Sequence, residues 1–267
     1  MDNLDNFKAL FRLDHKVALV AGAASGIGRA AARGLATAGA ITICADIRRA
    51  EAGKTSSEIQ GAGCQAEALE LDITDAGSVT AAMRFVQEKY QRLDVLVSTP
   101  AVNVRKPLLN YTSEEFDKVV RLNLRGNFLI AQAAARLMAE KKSGSIILLS
   151  SIRSVTVEPG QGVYAATKAG IVQLARTLAA ELGSVGVRVN CLAPGVVDTP
   201  LTAPIKNQTS WYSAYANRNA LGRWASADEM AGPIVFLASE AASYVTGAVL
   251  FVDGGWTAID GRFQPPL

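Results

Sequence analysis

Histidine is almost missing from this chain of 267 residues: His15 is the only one, and it stands ahead of the first apolar run, where a surface role is expected. A Ser-His-Asp arrangement and a multi-histidine metal site are therefore excluded, since each needs imidazole as base or ligand. Cysteine is nearly as scarce. Cys44, Cys64 and Cys191 are odd in number, far apart and without CxxC spacing, which suits reduced thiols of a cytosolic protein. No apolar run reaches the roughly 18 residues that span a bilayer, and the charged start MDNLDNFKALFRLDHK has no apolar signal core. A cytoplasmic protein with no membrane partner is expected. An excess of one charge is also lacking. The net charge is +3, and Lys and Arg are spread along the chain apart from pairs such as Arg48-Arg49 and Lys141-Lys142, so no nucleic-acid footprint is present. Linkers, repeats and low-complexity tracts are absent as well, which makes one domain over residues 1–267 the simplest organisation.

What the chain does have is 49% hydrophobic residues and 23 glycines, placed in a repeating order. Val17 to Ala21 reads as a buried strand, Gly22-Ala23-Ala24-Ser25-Gly26-Ile27-Gly28 follows at once, and Arg29 to Ala38 continues as an alanine-rich helix. Glycines between a strand and a helix let backbone N–H groups approach a pyrophosphate at the helix N-terminus. The spacing is GxxxGxG, unlike the commoner GxGxxG. The next strand, Ile41 to Ala45, ends at Asp46, about 20 residues beyond the glycines, where a carboxylate accepts hydrogen bonds from adenosine ribose hydroxyls and repels a 2′-phosphate. NAD is thus favoured as cofactor. NADP remains possible, because Arg48 and Arg49 stand close by.

Short apolar strands and helices go on alternating, which implies a parallel sheet covered on both faces, an α/β fold. Asp75 is a candidate N-cap for a helix from Gly77 to Tyr90, and Asp72, with Ile73, lies at a strand end where it could reach the adenine. A long helical pattern starts at Ser113. Asn123 and Asn127 sit inside it, poor helix-interior residues that suggest a task for at least one, and Gly126 points to a kink or close packing. The strand Ser145 to Ser151 ends in two hydroxyls. Pro194 and Gly195 fix a loop at a later strand end, and Leu201 to Arg218, polar and aromatic with weak periodicity, reads as a substrate lid around residues 200–220.

Tyr164 and Lys168 share one face of the helix that starts at Val163, since side chains four apart on a helix lie one turn above each other. An ammonium beside a phenol favours the phenolate and lowers the tyrosine pKa towards working pH, as a general acid/base requires.

With these residues in order, the chain resembles the classical short-chain dehydrogenase/reductase family. The resemblance covers roughly Asp14 to Trp256 and rests on Gly22-x-x-x-Gly26-x-Gly28, Asp72, Asn123, Ser151, Tyr164-x-x-x-Lys168 and Pro194-Gly195, with Ser151 thirteen residues before Tyr164. It implies one Rossmann-like doubly wound domain with a mostly seven-stranded parallel sheet, a small-molecule substrate and a homotetramer with the Asn123 and Tyr164 helices between subunits. It implies no metal. The catalytic set carried over is Asn123, Ser151, Tyr164 and Lys168: Ser151 bonds the substrate oxygen, Tyr164 exchanges its proton, Lys168 serves the tyrosine and the nicotinamide ribose, and Asn123 holds a relay water. The cofactor set is Gly22, Ser25, Gly26, Ile27, Gly28, Asp46, Asp72, Ile73, Ser98, Thr99, Tyr164, Lys168, Pro194, Val197 and Thr199, with the Val197 backbone and the Thr199 hydroxyl orienting the carboxamide.

The chain departs from the family pattern twice. Ala21 stands where threonine is usual before the first glycine, and Ser98-Thr99-Pro100-Ala101 replaces Asn-Asn-Ala-Gly, with Pro100 lacking an N–H donor. Arg105 and Arg153 border the expected pocket, placements similar to those in relatives acting on sugars and sugar acids. A polyol, sugar or hydroxy acid oxidised or reduced at a secondary carbon is therefore the leading expectation. A 3-oxoacyl thioester reductase using NADPH is the alternative, and a catalytically silent dinucleotide-binding regulator is an alternative from another class.

Overall fold

The computed structural model describes residues 4–259. After a short helix α1 (Leu4–Ala9), the first half alternates strand and helix: β1 (Val17–Ala21), α2 (Gly26–Thr37), β2 (Ile41–Asp46), α3 (Arg49–Gly61), β3 (Ala66–Glu70), α4 (Ala76–Tyr90) and β4 (Val95–Ser98). The second half contains α5 (Ser113–Val120), a π-helical turn over Arg121–Gly126, α6 (Asn127–Lys141), β5 (Gly144–Leu149), α7 (Gly162–Leu182), β6 (Val187–Pro194) and β7 (Val197–Asp198). The helices α8 (Ala203–Lys206) and α9 (Thr209–Ala216) follow, then β8 (Ala225–Ser226), α10 (Ala231–Ala238) and β9 (Val249–Val252).

Seven strands form one parallel sheet in the order β3-β2-β1-β4-β5-β6-β9. The central strands are mostly apolar because helices cover both faces. Successive side chains of β1 go to opposite sides: Val17, Leu19 and Ala21 join the core under α4, α6 and α7, and Ala18 and Val20 join the core under α2 and α10. The strand order reverses between β1 and β4. Ligands of such sheets bind at this switch point, beyond the strand C-termini, and both the glycine turn and the Ser98 to Ala101 stretch emerge there.

Local signals hold where side chain meets backbone. Asp75 caps α4 by accepting from the Gly77 and Ser78 N–H groups. The helical pattern from Ser113 differs from expectation in being broken by the π-helical turn, a feature that collects at functional sites. Gly126 ends that turn, and a Cβ there would stand 3.0 Å from Cγ1 of Ile73. The weakly periodic Leu201 to Arg218 stretch folds as α8 and α9. Tyr212 of α9 stacks on Trp224 at 5.3 Å between ring centroids.

Candidate active site

The glycine turn is shaped by backbone approach. Gly22 adopts φ +86°, and a Cβ on Gly28 would lie 2.0 Å from the Gly22 carbonyl oxygen, so both positions admit only hydrogen. Together with the start of α2 they open a cavity of about 1350 Å³. Gly22, Ser25, Gly26, Ile27, Gly28, Asp46, Asp72, Ile73, Thr99 and Thr199 all line it. This fits a dinucleotide: N–H groups at a helix N-terminus for a pyrophosphate, and a carboxylate at the neighbouring strand end for ribose hydroxyls.

That carboxylate is held firmly. Asp46 is 8% exposed; one oxygen accepts from Ala24 N–H at 3.2 Å and the other from Arg48 N–H at 2.9 Å. The Arg48 guanidinium lies across the same oxygen at 3.4 Å and reaches the Ser25 hydroxyl at 3.3 Å. Asp72 accepts from both the N–H and the hydroxyl of Thr74 at 2.8 Å.

Five of the expected cofactor residues do not line this cavity: Tyr164 and Lys168 of α7, and Ser98, Pro194 and Val197. Ser98 is fully buried and gives its hydroxyl to Asn127 at 2.7 Å. Pro194 ends β6 within the sheet. Val197 is buried in β7, with its carbonyl accepting from the Thr202 hydroxyl at 2.6 Å. At the two departures from the family pattern, Thr99 donates its hydroxyl to the Ala21 carbonyl at 2.9 Å, so a side chain from the β4 end ties down the glycine turn.

At the ends of β5 and α7 the catalytic candidates converge. Lys168 is 1% exposed and donates to the Leu149 carbonyl at 2.7 Å, with Nζ 5.6 Å from the centroid of the Tyr164 ring. Burial pulls its pKa down to about 8. Burial also pushes the Tyr164 phenol up, and the groups that oppose the rise are the Ser151 hydroxyl and the cations Arg105 and Arg153. This corrects the expectation that Lys168 lowers the tyrosine: its ammonium is spent on a backbone carbonyl, and desolvation outweighs every neighbouring charge. Ser150, the other hydroxyl of the pair, donates to the Lys168 carbonyl at 2.9 Å. Asn123 is 0% exposed; its side chain accepts from Val102 N–H and donates to Val102 C=O, both at 2.8 Å. Sequence reasoning singled out Asn127 without a partner, and it missed Glu158, which joins Arg153 and Arg105.

Comparison with known proteins agrees with this geometry. A family model described as enoyl-(acyl carrier protein) reductase matches residues 22–257. The chain is 36% identical over 244 residues to the 3-oxoacyl-acyl-carrier-protein reductase FabG of Thermotoga maritima, covering 91% of this chain and 98% of that one. The chain belongs to the short-chain dehydrogenase/reductase family. As a member of it, the protein is an oxidoreductase that acts on CH–OH groups with NAD(P). Another short-chain relative, the 2-dehydro-3-deoxy-D-gluconate 5-dehydrogenase of Pseudoalteromonas atlantica, is 37% identical over 249 residues, 92% of this chain and 97% of the relative. The structure of a gluconate 5-dehydrogenase from Burkholderia cenocepacia in complex with NADP and tartrate superposes with a TM-score of 0.92 at 34% identity, covering 95% of this chain and 99% of that one. Among the described residues, no helix is long and apolar enough to cross a membrane.

Proposed function

We propose that this protein interconverts a secondary alcohol and its ketone on a polyol, sugar or hydroxy acid, with NAD preferred over NADP, and that its whole chain acts as one catalytic and dinucleotide-binding domain. The observation that carries the reading is Ser151, just beyond β5, beside Tyr164 and Lys168 of α7, with the Asn123 amide bonded to Thr167 of the same helix. Ser151 holds the substrate oxygen by a hydrogen bond. Tyr164 takes the hydroxyl proton in oxidation and returns it in reduction; a phenol whose pKa burial has raised favours the protonated, donating form. Lys168 is locked on the Leu149 carbonyl, which fixes its ammonium below the tyrosine ring, and Asn123 fixes the loop at Val102. A bound nicotinamide would supply the hydride acceptor or donor.

The Asp46 carboxylate supports NAD. The relatives named as gluconate-type dehydrogenases support a polyhydroxy substrate. The second reading, an NADPH-dependent 3-oxoacyl thioester reductase, draws on the FabG relative and on Arg48 beside Asp46. A spectrophotometric screen of both cofactors against polyols, sugars, hydroxy acids, secondary alcohols and an acetoacetyl thioester separates the two. Turnover of polyols or hydroxy acids with NAD is expected, and better turnover of the thioester with NADPH overturns it. The same reading takes the assembly as a homotetramer built on the α5 to α7 faces, in keeping with exposed Phe116 and Phe128; sedimentation velocity showing a monomer at micromolar concentration would refute that.

A further inference from the structure

Two guanidinium groups beside the candidate catalytic serine share one carboxylate. Arg153, whose N–H donates to the Ser151 hydroxyl at 3.2 Å, is 7% exposed and pairs with Glu158. Its guanidinium lies over the Trp256 ring at 5.4 Å. Arg105 reaches the same carboxylate at 3.6 Å and the Tyr215 hydroxyl at 3.4 Å. Tyr215, from α9, donates to Glu158 in turn and packs on Trp256 with ring centroids 5.7 Å apart. Both cations act on the Tyr164 phenol, so the cluster stands within electrostatic reach of the proton-transfer group.

Its charges do not balance. The neighbouring Lys106 is matched by Glu115 at 2.6 Å, and Asp198 is taken by Lys206. Among the described residues no second carboxylate pairs with Arg105 or Arg153, which leaves one positive charge over. A cation partly removed from water gains most from an anion brought to it. Arg153 is the enclosed partner of Glu158. Arg105, with its side chain 30% exposed, is the one open to a ligand.

We propose that Arg105 docks the single carboxylate of the substrate, and that Glu158, held between Arg153 and Tyr215, is a specificity-determining residue that limits the substrate to one negative charge. The substrate class is then a monoanionic hydroxy acid or its keto form. A neutral polyol leaves the spare charge unmatched, and a dicarboxylate or phosphate ester sets a second anion against Glu158. This rests on the oxidoreductase reading and narrows it.

The test uses three six-carbon probes of stepped charge on the intact enzyme: glucitol, neutral; gluconate, one negative charge; glucarate, two. Turnover is measured with NAD, and probes that are not turned over are measured by calorimetric titration of the cofactor-loaded protein. Gluconate is expected to exceed both others by about tenfold or more, the scale of one charge-assisted hydrogen bond. Arg105→Gln should erase the advantage of gluconate over glucitol, and Glu158→Gln should raise glucarate relative to gluconate by about tenfold, with Glu158→Asp restoring the original order. Equal binding of all three probes, a wild-type preference for glucarate, or an unaltered order in Glu158→Gln overturns the proposal. If Glu158→Gln does not fold, the Arg105→Gln ratio decides. Ordered binding without turnover of any alcohol would instead sink the oxidoreductase reading and leave the charge filter standing.

Discussion

The side-chain amide of Asn127 donates to the main-chain carbonyl of Asn123 at 2.9 Å. It also reaches the carbonyls of Leu122 and Pro100, both at 3.3 Å, while its own oxygen accepts from Ser98. One buried amide thus joins the end of β4, the loop leaving it and the π-helical turn that holds Asn123. Removing it leaves the Ser98 hydroxyl, 0% exposed, without its acceptor. Asn127→Ala should cost about 1–3 kcal/mol, the range for stranding a buried polar group. In denaturant titrations the double variant with Ser98→Ala should lose less than the two single losses added together, because the pair shares one bond. Strict additivity would show that the Ser98 contact contributes nothing.

Tyr164→Phe removes the hydroxyl and keeps the ring. Turnover should fall by at least roughly 10²-fold, the scale of a positioned acid/base, and NAD binding measured by fluorescence quenching should persist. Near-normal turnover would remove Tyr164 from the mechanism. Loss of binding together with turnover would make it a cofactor anchor instead.

Lys168 and the buried thiols give stability a maximum in alkaline solution. Burial pulls the Lys168 pKa from its ordinary 10.5 down to about 8. Between those values the unfolded chain holds more protons, so stability rises with pH as the folded lysine becomes neutral. Cys44 and Cys191 work the other way: burial pushes each from 9.0 up to about 12, so above pH 9 the unfolded thiols ionise, the folded ones do not, and stability falls. From pH 8 to 9 the lysine should add about 1 kcal/mol, with a decline beyond. Urea titrations at half-unit pH steps read the curve, and Lys168→Met should flatten its rising limb.

Two glycines distinguish shape from propensity. A Cβ on Gly28 meets backbone at 2.0 Å, whereas at Gly53, inside α3, nothing lies within 4 Å. Gly53→Ala should stabilise the protein by roughly 0.5–1 kcal/mol through helix propensity. Gly28→Ala should force the turn apart and weaken NAD binding by at least about tenfold, a modest 1.4 kcal/mol in binding energy. Titration of NAD into both variants checks the contrast, and equal affinities would remove the cradle from cofactor binding.

The sheet was readable in the sequence because strands covered on both faces are near-continuous apolar runs, as in Ile146-Ile147-Leu148. Asp75 was readable because capping is local. The Ser98–Asn127 bond was not, since its partners are 29 residues apart, and neither was the sharing of Glu158 by Arg105 and Arg153, which needs α7, β5 and the β4 loop in place. Helix α9 hid for another reason: it buries only Ala216 and contacts the body through ring stacking, so it carries no apolar stripe. The sign of the Tyr164 shift escaped because spacing reveals a neighbouring charge but not the desolvation that outweighs it.

In the proposed reading, cofactor choice turns on the contest between Asp46 and Arg48. The carboxylate is 8% exposed and pinned by two backbone N–H groups; in that reading it faces the adenosine ribose and opposes a 2′-phosphate. The Arg48 side chain is 58% exposed and held only at 3.3 and 3.4 Å, so it can leave the carboxylate for a phosphate at small cost. Asp46→Asn removes the charge but keeps a single acceptor oxygen, so only one of the Ala24 and Arg48 N–H groups retains its partner. It should raise NADP relative to NAD in kcat/KM by about tenfold or more, about 1.4 kcal/mol of relieved repulsion, and lower the melting temperature through the lost bond. Arg48→Ala should move the ratio the other way and weaken its dependence on salt, since the attraction of an exposed guanidinium for phosphate is screened. An unchanged ratio in Asp46→Asn would show that the carboxylate serves the glycine turn through Ala24 and leaves the nucleotide choice to other groups.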